Sequence, residues 1–154
     1  EIIDLYTDSK KNLYWVGFRN YLGAYRNGQV RLIRLTGEEV SKNVGYFSAS
    51  TMDNKDRLWI GFKGVGLYCF NTRNEKVQSW TEFDGWSNNH VHKIISDHNG
   101  NIWTMYFNKV SYFNPTTESF KTSQTNHNFD LLVIQFSFQR LYIIYHPKCT
   151  EYFY

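Results

Sequence analysis

Three tryptophans set the scale on which this chain repeats. Trp15 lies in LYWVGF, Trp59 in LWIGF and Trp103 in IWTMY, each 44 residues from the next. The flanks follow the same spacing. Gly17 and Gly61 stand two residues after their Trp, Asp53 and Asp97 six before theirs, and Tyr25 and Phe113 ten after theirs. Phe70 comes eleven after Trp59, which reads as one extra residue in the segment KGVG. A repeat changes the meaning of every aromatic in it. A residue that recurs in each unit is set by the scaffold, whereas a ligand needs its residue only once.

One unit can be read strand by strand. The alternating run VHKIISD is followed by the turn DHNGN, the run NIWTMYF, the run KVSYFN, the turn NPTTE and the run SFKTS. Short runs of β-branched and aromatic residues, punctuated by Asp, Asn, Gly and Pro, are strands joined by tight hairpins. In the first unit Asn27-Gly28 supplies two residues that tolerate positive φ, as a two-residue turn requires. The chain is therefore read as all-β, built of four-stranded antiparallel meanders. Units of that kind repeating every 40 to 50 residues describe a β-propeller, whose blades pack face to face around an axis. The repeated Trp falls on the second strand of each blade. There Trp15, Trp59 and Trp103 are expected to fill the space between neighbouring blades rather than to offer a platform to a ligand.

These motifs carry a resemblance. DNKDRLWIGFKGVGLYCFN at 53–71, GWSNNHVHKIISDHNGNIW at 85–103 and VSYFNPTTESF at 110–120 resemble the two-component regulator propeller repeat. The likeness covers roughly residues 1–122, and the first repeat has SKKN at 9–12 where the family has a DxxG turn. The resemblance implies part of a large sensor propeller on the periplasmic side of a bacterial hybrid two-component regulator. It also implies recognition of glycans or oligosaccharide fragments without catalysis. This chain shows no kinase, linking domain or membrane span.

About three blades are readable over residues 1–128, whereas propellers close with 4 to 8. Three blades leave two broad apolar faces open, a drive toward association. A homo-oligomer is expected, a dimer above all, with two sets of about three and a half blades forming a seven-bladed ring. Residues 129–154 differ sharply: all ten Gly of the chain lie before them. RLYII is either a worn echo of RLWIG, making this tail the start of a fourth blade, or part of a frameshifted end. Either way its apolar content calls for burial, as strands against an open blade edge.

Composition removes other classes. Lys and Arg are scattered, and a net charge of +3 forms no basic track for nucleic acid. No apolar run is long enough to span a bilayer. Cys69 and Cys149 form neither a metal pattern nor a disulfide framework. No nucleophile elbow, phosphate loop or carboxylate pair gives a reason to propose an enzyme, and no cofactor is implied. His90 and His92 share a strand face at a spacing that suits a metal, but no third ligand has a defined place. Asp97, Asn99 and Gly100 copy part of a calcium loop and are read as a hairpin turn.

One loop remains as a binding candidate. In GWSNNH, Trp86 stands where the family has Leu, beside Asn88, Asn89 and His90. An aromatic face with planar amides suits a sugar, since C–H groups stack on the ring while hydroxyls take hydrogen bonds. The competing reading is that Asn88 and Asn89 shape the turn and Trp86 packs on the blade. At the level of the whole chain, the alternative to ligand sensing is a module that only associates, with a propeller lyase a more distant third.

Overall fold

The structure, a computed structural model, describes residues 2–17, 21–35, 46–86, 89–106, 109–124, 133–137 and 140–144. Three sheets of four antiparallel strands follow one another, each with its strands in chain order. Blade 1 holds β1 (Ile2–Thr7), β2 (Leu13–Gly17), β3 (Tyr21–Arg26) and β4 (Gln29–Arg34). Blade 2 holds β5 (Phe47–Met52), β6 (Arg57–Phe62), β7 (Gly66–Asn71) and β8 (Val77–Trp80). Blade 3 holds β9 (Lys93–Ser96), β10 (Ile102–Tyr106), β11 (Lys109–Asn114) and β12 (Ser119–Gln124). The final strands, β13 (Val133–Ser137) and β14 (Arg140–Ile144), pair as a separate two-stranded sheet. Helical structure among the described residues is limited to a 3-10 turn at Glu82–Asp84. No described helix is long and apolar enough to cross a membrane.

The turns explain why each sheet starts as it does. In blade 2 the carboxylate of Asp53 accepts from the amides of Lys55 and Arg57, both at 2.9 Å, from Arg57 Nε at 2.7 Å and from Trp59 Nε1 at 2.9 Å. Asp97 does the same in blade 3, with the amides of Asn99 and Asn101, Asn101 Nδ2 and Trp103 Nε1. An Asx turn closed by its own first residue satisfies the donors that a tight turn would otherwise bury unpaired. The fourth turn position is left-handed in all three blades, with φ of 63° at Lys11, 60° at Asp56 and 78° at Gly100.

Blade 1 shifts the repeat by one residue. Its turn is anchored by Asp8, which accepts from the amides of Lys10 and Asn12, from Asn12 Nδ2 and, at 3.2 Å, from the Tyr14 hydroxyl. The residue equivalent to Trp59 and Trp103 is therefore Tyr14, not Trp15, and Val16 rather than Gly17 matches Gly61. The even 44-residue spacing of the three tryptophans does not survive as a structural alignment. The segment 9–12 is likewise a full member of the turn series, anchored from Asp8. The single length difference also moves. Three residues separate β2 from β3 and β6 from β7, but two separate β10 from β11, so blade 3 is short and KGVG is not an insertion.

With this register the blades stack front to back. Tyr14, Val16, Leu22 and Ala24 of blade 1 pack on Leu58, Ile60, Tyr68 and Phe70 of blade 2. Trp59, Leu67 and Cys69 on the opposite face of blade 2 pack on Ile102 and Phe113 of blade 3 and on Val91 and Ile94 beside them. Trp59 is 1% exposed, stacked on Trp80 at 5.4 Å and meeting Phe113 edge-on at 5.6 Å. It is inter-blade filling, as the repeat predicts. Trp15 is not: it is half-buried on the outer face of blade 1, folded over Gly23, where a Cβ would come within 1.9 Å of its Cε2. Trp103 is half-buried on the far face of blade 3.

The first strands of blades 2 and 3, β5 and β9, lie against each other. The Ser48 hydroxyl donates to the Val91 carbonyl, and the Ser96 hydroxyl to that of Met52 at 3.2 Å. At the turn end, blade 1 is latched to blade 2 by Asp56. Its carboxylate accepts from the Ser9 amide at 2.8 Å, the Ser9 hydroxyl at 2.6 Å and Arg73 Nη2 at 3.0 Å. The Ser9 hydrogen bonds, with help from Arg73, hold this carboxyl below its ordinary range.

Candidate functional site

One end of each blade carries the Asx turns, and the other carries the second-to-third strand loops and the blade-to-blade connections. Of the binding candidates, Trp86, Asn89 and His90 fall at the second end. The connection from blade 2 to blade 3 opens with the Glu82–Asp84 turn, capped by Thr81, whose amide donates to Asp84 Oδ2 at 2.8 Å. Gly85 follows at φ 87°, a left-handed stop, and the Trp86 amide returns to the Thr81 carbonyl at 3.1 Å.

This geometry drives Trp86 inward. Its ring is 3% exposed and meets Phe120 edge-on at 5.1 Å, inside the core shared by blades 2 and 3. A ring so buried has no face to give a sugar, so Trp86 leaves the candidate binding set. Its burial removes a large apolar side chain from water, which explains why the position is aromatic. Asn88 lies outside the described residues. Asn89 is a tether: its Oδ1 accepts from the Glu82 amide at 2.8 Å, its amide donates to Glu82 Oε1 at 3.1 Å, and its carbonyl accepts from Gly66 at 2.9 Å.

His90 stays at the surface, and the structure gives it companions that the sequence did not. Its imidazole stacks on Tyr106 with centroids 5.1 Å apart and planes at 20°. His92, also exposed, meets the same ring edge-on at 4.8 Å. The pairing of the His92 amide with the Met105 carbonyl at 2.9 Å brings the two histidines to the end of β10, where Tyr106 sits. Lys63, exposed on the loop after β6, lies close enough to act on His92. Desolvation, then the charges of Lys63 and His90, hold the His92 imidazole below its ordinary pKa. It is therefore neutral at pH 7, able both to donate and to accept.

Among the described residues, no group of three or more His, Cys, Asp and Glu could hold a metal ion. The Asp97 carboxylate is already filled by turn donors, so the Asp97–Gly100 segment is a hairpin turn. Cys69 is buried between blades 2 and 3, and burial pushes its thiol up to about 12, far from the range of a reactive thiolate. Tyr106 and Lys63 had no signal in the sequence. Both are placed by cross-strand register, which local pattern does not reveal.

The arrangement is a β-propeller of three described blades, with its chemistry at the end where the blade connections meet. Solved structures that resemble it share that fold. The extracellular domain of BT4673 from B. thetaiotaomicron, a one-component or hybrid two-component system in its two descriptions, superposes with a TM-score of 0.60 at 19% identity over 79% of this chain. Virginiamycin B lyase from Staphylococcus aureus, a catalytically inactive form with quinupristin, gives 0.64 at 10% identity over 82% of this chain. A streptogramin B lyase gives 0.61 at 10% identity over 81%. The chain spans 18% of the BT4673 chain and 42% and 41% of the two lyase chains. At these identities the likeness establishes the fold. No protein-family model matches the chain, and no curated protein sequence is similar to it.

Proposed function

We propose that this chain is a ligand-recognising part of a sensor propeller that works outside the cytoplasm, and that its ligand is an oligosaccharide. The observation that carries this reading is the cluster of His90, His92 and Tyr106 beside Lys63. The neutral imidazole of His92, with His90 stacked on the same aromatic ring, offers hydroxyl-matching donors and acceptors on an apolar support, the combination that sugars require. The likeness to an extracellular two-component domain supports sensing as the use of that site. The reading is of binding without catalysis, since the sequence offers no nucleophile elbow, phosphate loop or carboxylate pair around which a reaction could be built.

Calorimetric titration with neutral and acidic oligosaccharides tests it. Binding is expected, and His90→Ala or Tyr106→Ala should weaken it at least about tenfold, the loss expected when one buried polar or stacking contact is removed. Affinity should persist below pH 6.5 and fall as His92 protonates, because its depressed pKa keeps it neutral below the ordinary value. Silence across the panel would leave the second reading, a module that serves only to associate. That reading is favoured by one observation, the open apolar face of blade 1.

A further inference from the structure

The outer face of blade 1 is built like a blade interface but has no described blade on it. Leu13 and Tyr25 are cross-strand partners there, as Leu58 and Phe70 are in blade 2 and Ile102 and Phe113 in blade 3. Those four equivalents are all 0% exposed, whereas Tyr25 is 46% exposed. Around it stand Leu5 at 58%, Val30 at 65% and Leu32 at 69%. Trp15 lies flat across Gly23 in the same face, leaving a smooth apolar surface. Scattered exposed apolar residues are ordinary, but a contiguous patch in the register of a core is not.

The chain also shows, twice, what covers such a face. Blade 2 is covered by the Tyr14 face of blade 1, and blade 3 by the Trp59 face of blade 2. The third face of this type is the far side of blade 3, where Trp103, Tyr112, Met105 and Val110 share one surface through the β10–β11 register. Trp103 and Tyr112 meet edge-on at 4.9 Å and are half-buried, while their equivalents Tyr14, Trp59 and Cys69 are at most 2% exposed.

We propose that a second copy of this chain occupies the face, the Trp103 side of blade 3 in one copy lying on the Trp15 side of blade 1 in the other. The contact is heterologous, and two of them close a two-fold ring. Two copies bring six described blades, within the 4 to 8 at which propellers close. The same step that relates blade 1 to blade 2 and blade 2 to blade 3 then continues across both junctions.

The test is sedimentation velocity on the wild-type chain, Leu32→Glu and Val110→Glu, with near-ultraviolet circular dichroism to confirm folding. For a chain of 18.4 kDa, the wild type is expected at twice that mass and each folded variant mostly at the single mass. An equimolar mixture of the two variants should recover a two-copy species, since one junction joins their two intact faces. A wild type that is monomeric at all concentrations overturns the proposal, as it would if the face were meant for a blade from elsewhere. So does a Val110→Glu chain that stays dimeric, the mark of blade 1 pairing with itself. Leu32 is exposed on β4, so its variant is not expected to compromise the fold.

Discussion

At the scale of single residues, an aspartate is the fixed point of each blade. Asp8, Asp53 and Asp97 each collect two turn amides, a side-chain donor four residues on and an aromatic donor six residues on. Asp53→Ala leaves the guanidinium of Arg57, itself largely buried, without its 2.7 Å partner. Stability measured by denaturant should fall by on the order of 3 kcal/mol, the usual result of stripping one partner from a buried charged network. The sequence displayed this device in part. Asp53 and Asp97 stand six residues before Trp59 and Trp103, but Asp8 stands seven before Trp15 and six before Tyr14, so the tryptophan spacing hides it. The pattern Asp-x3-donor-x-aromatic, DSKKNLY beside DNKDRLW and DHNGNIW, would have found it.

The same residues set an alkaline limit. Burial, with the nearby carboxylates of Asp4 and Asp8, raises the hydroxyls of Tyr6 and Tyr14 to about 12, and burial raises the Cys69 thiol to about 12. The unfolded chain ionises these groups first, so their contribution is intact below about pH 8.5 for the thiol and about pH 10 for the tyrosines. It is lost progressively as pH rises toward 12. Thermal melts between pH 8 and 11 should show a falling midpoint, steeper in the wild type than in Cys69→Ser.

At the scale of elements, the hairpins and the sheet order were readable from period-two alternation and turn residues, down to the Asn27-Gly28 turn with φ of 50° and 79°. Register was not, because a one-residue shift exchanges the two faces of a strand. Taking Trp15 as the partner of Trp59 put the wrong face of β2 into the stack, and with it the wrong glycine. Gly61 is the one whose absence of a side chain matters. A Cβ there would lie 2.6 Å from Val91 Cγ1 and 2.7 Å from Val91 Cβ, where β6 meets the start of blade 3. Gly61→Ala should cost about 1–3 kcal/mol by overpacking. Val91→Ala added to it should recover part of that loss, a coupling that a double-mutant cycle in denaturant will measure.

The candidate site divides in the same way. The sequence pointed to the blade 2 to blade 3 connection, which the fold places at the end that carries His90. It did not separate the residues that build the loop from those the loop presents. Trp86 is held inside by Phe120 and Asn89 is bonded to Glu82, whereas His90 remains outward on Tyr106. Such a division follows from which side of the backbone packs on blade 3, information held by residues distant in the chain.

At the scale of the whole molecule, a stack of blades is quasi-one-dimensional: each unit is stabilised by its neighbours, and the end units are short of one. Among the described blades the outer face of blade 1 and the far face of blade 3 are those ends, while the loop end, for which we propose ligand recognition, lies away from both. The front-to-back stacking that generates this division rests on Tyr14, not Trp15, standing in the inter-blade position. It is tested most directly by denaturant unfolding of Tyr14→Ala and Trp15→Ala in the Leu32→Glu background, where association does not intervene. Tyr14→Ala should lose about 3–5 kcal/mol, the range for a large aromatic cut from a packed core, and Trp15→Ala markedly less. A larger loss for Trp15→Ala than for Tyr14→Ala would contradict the stacking and restore the even 44-residue repeat.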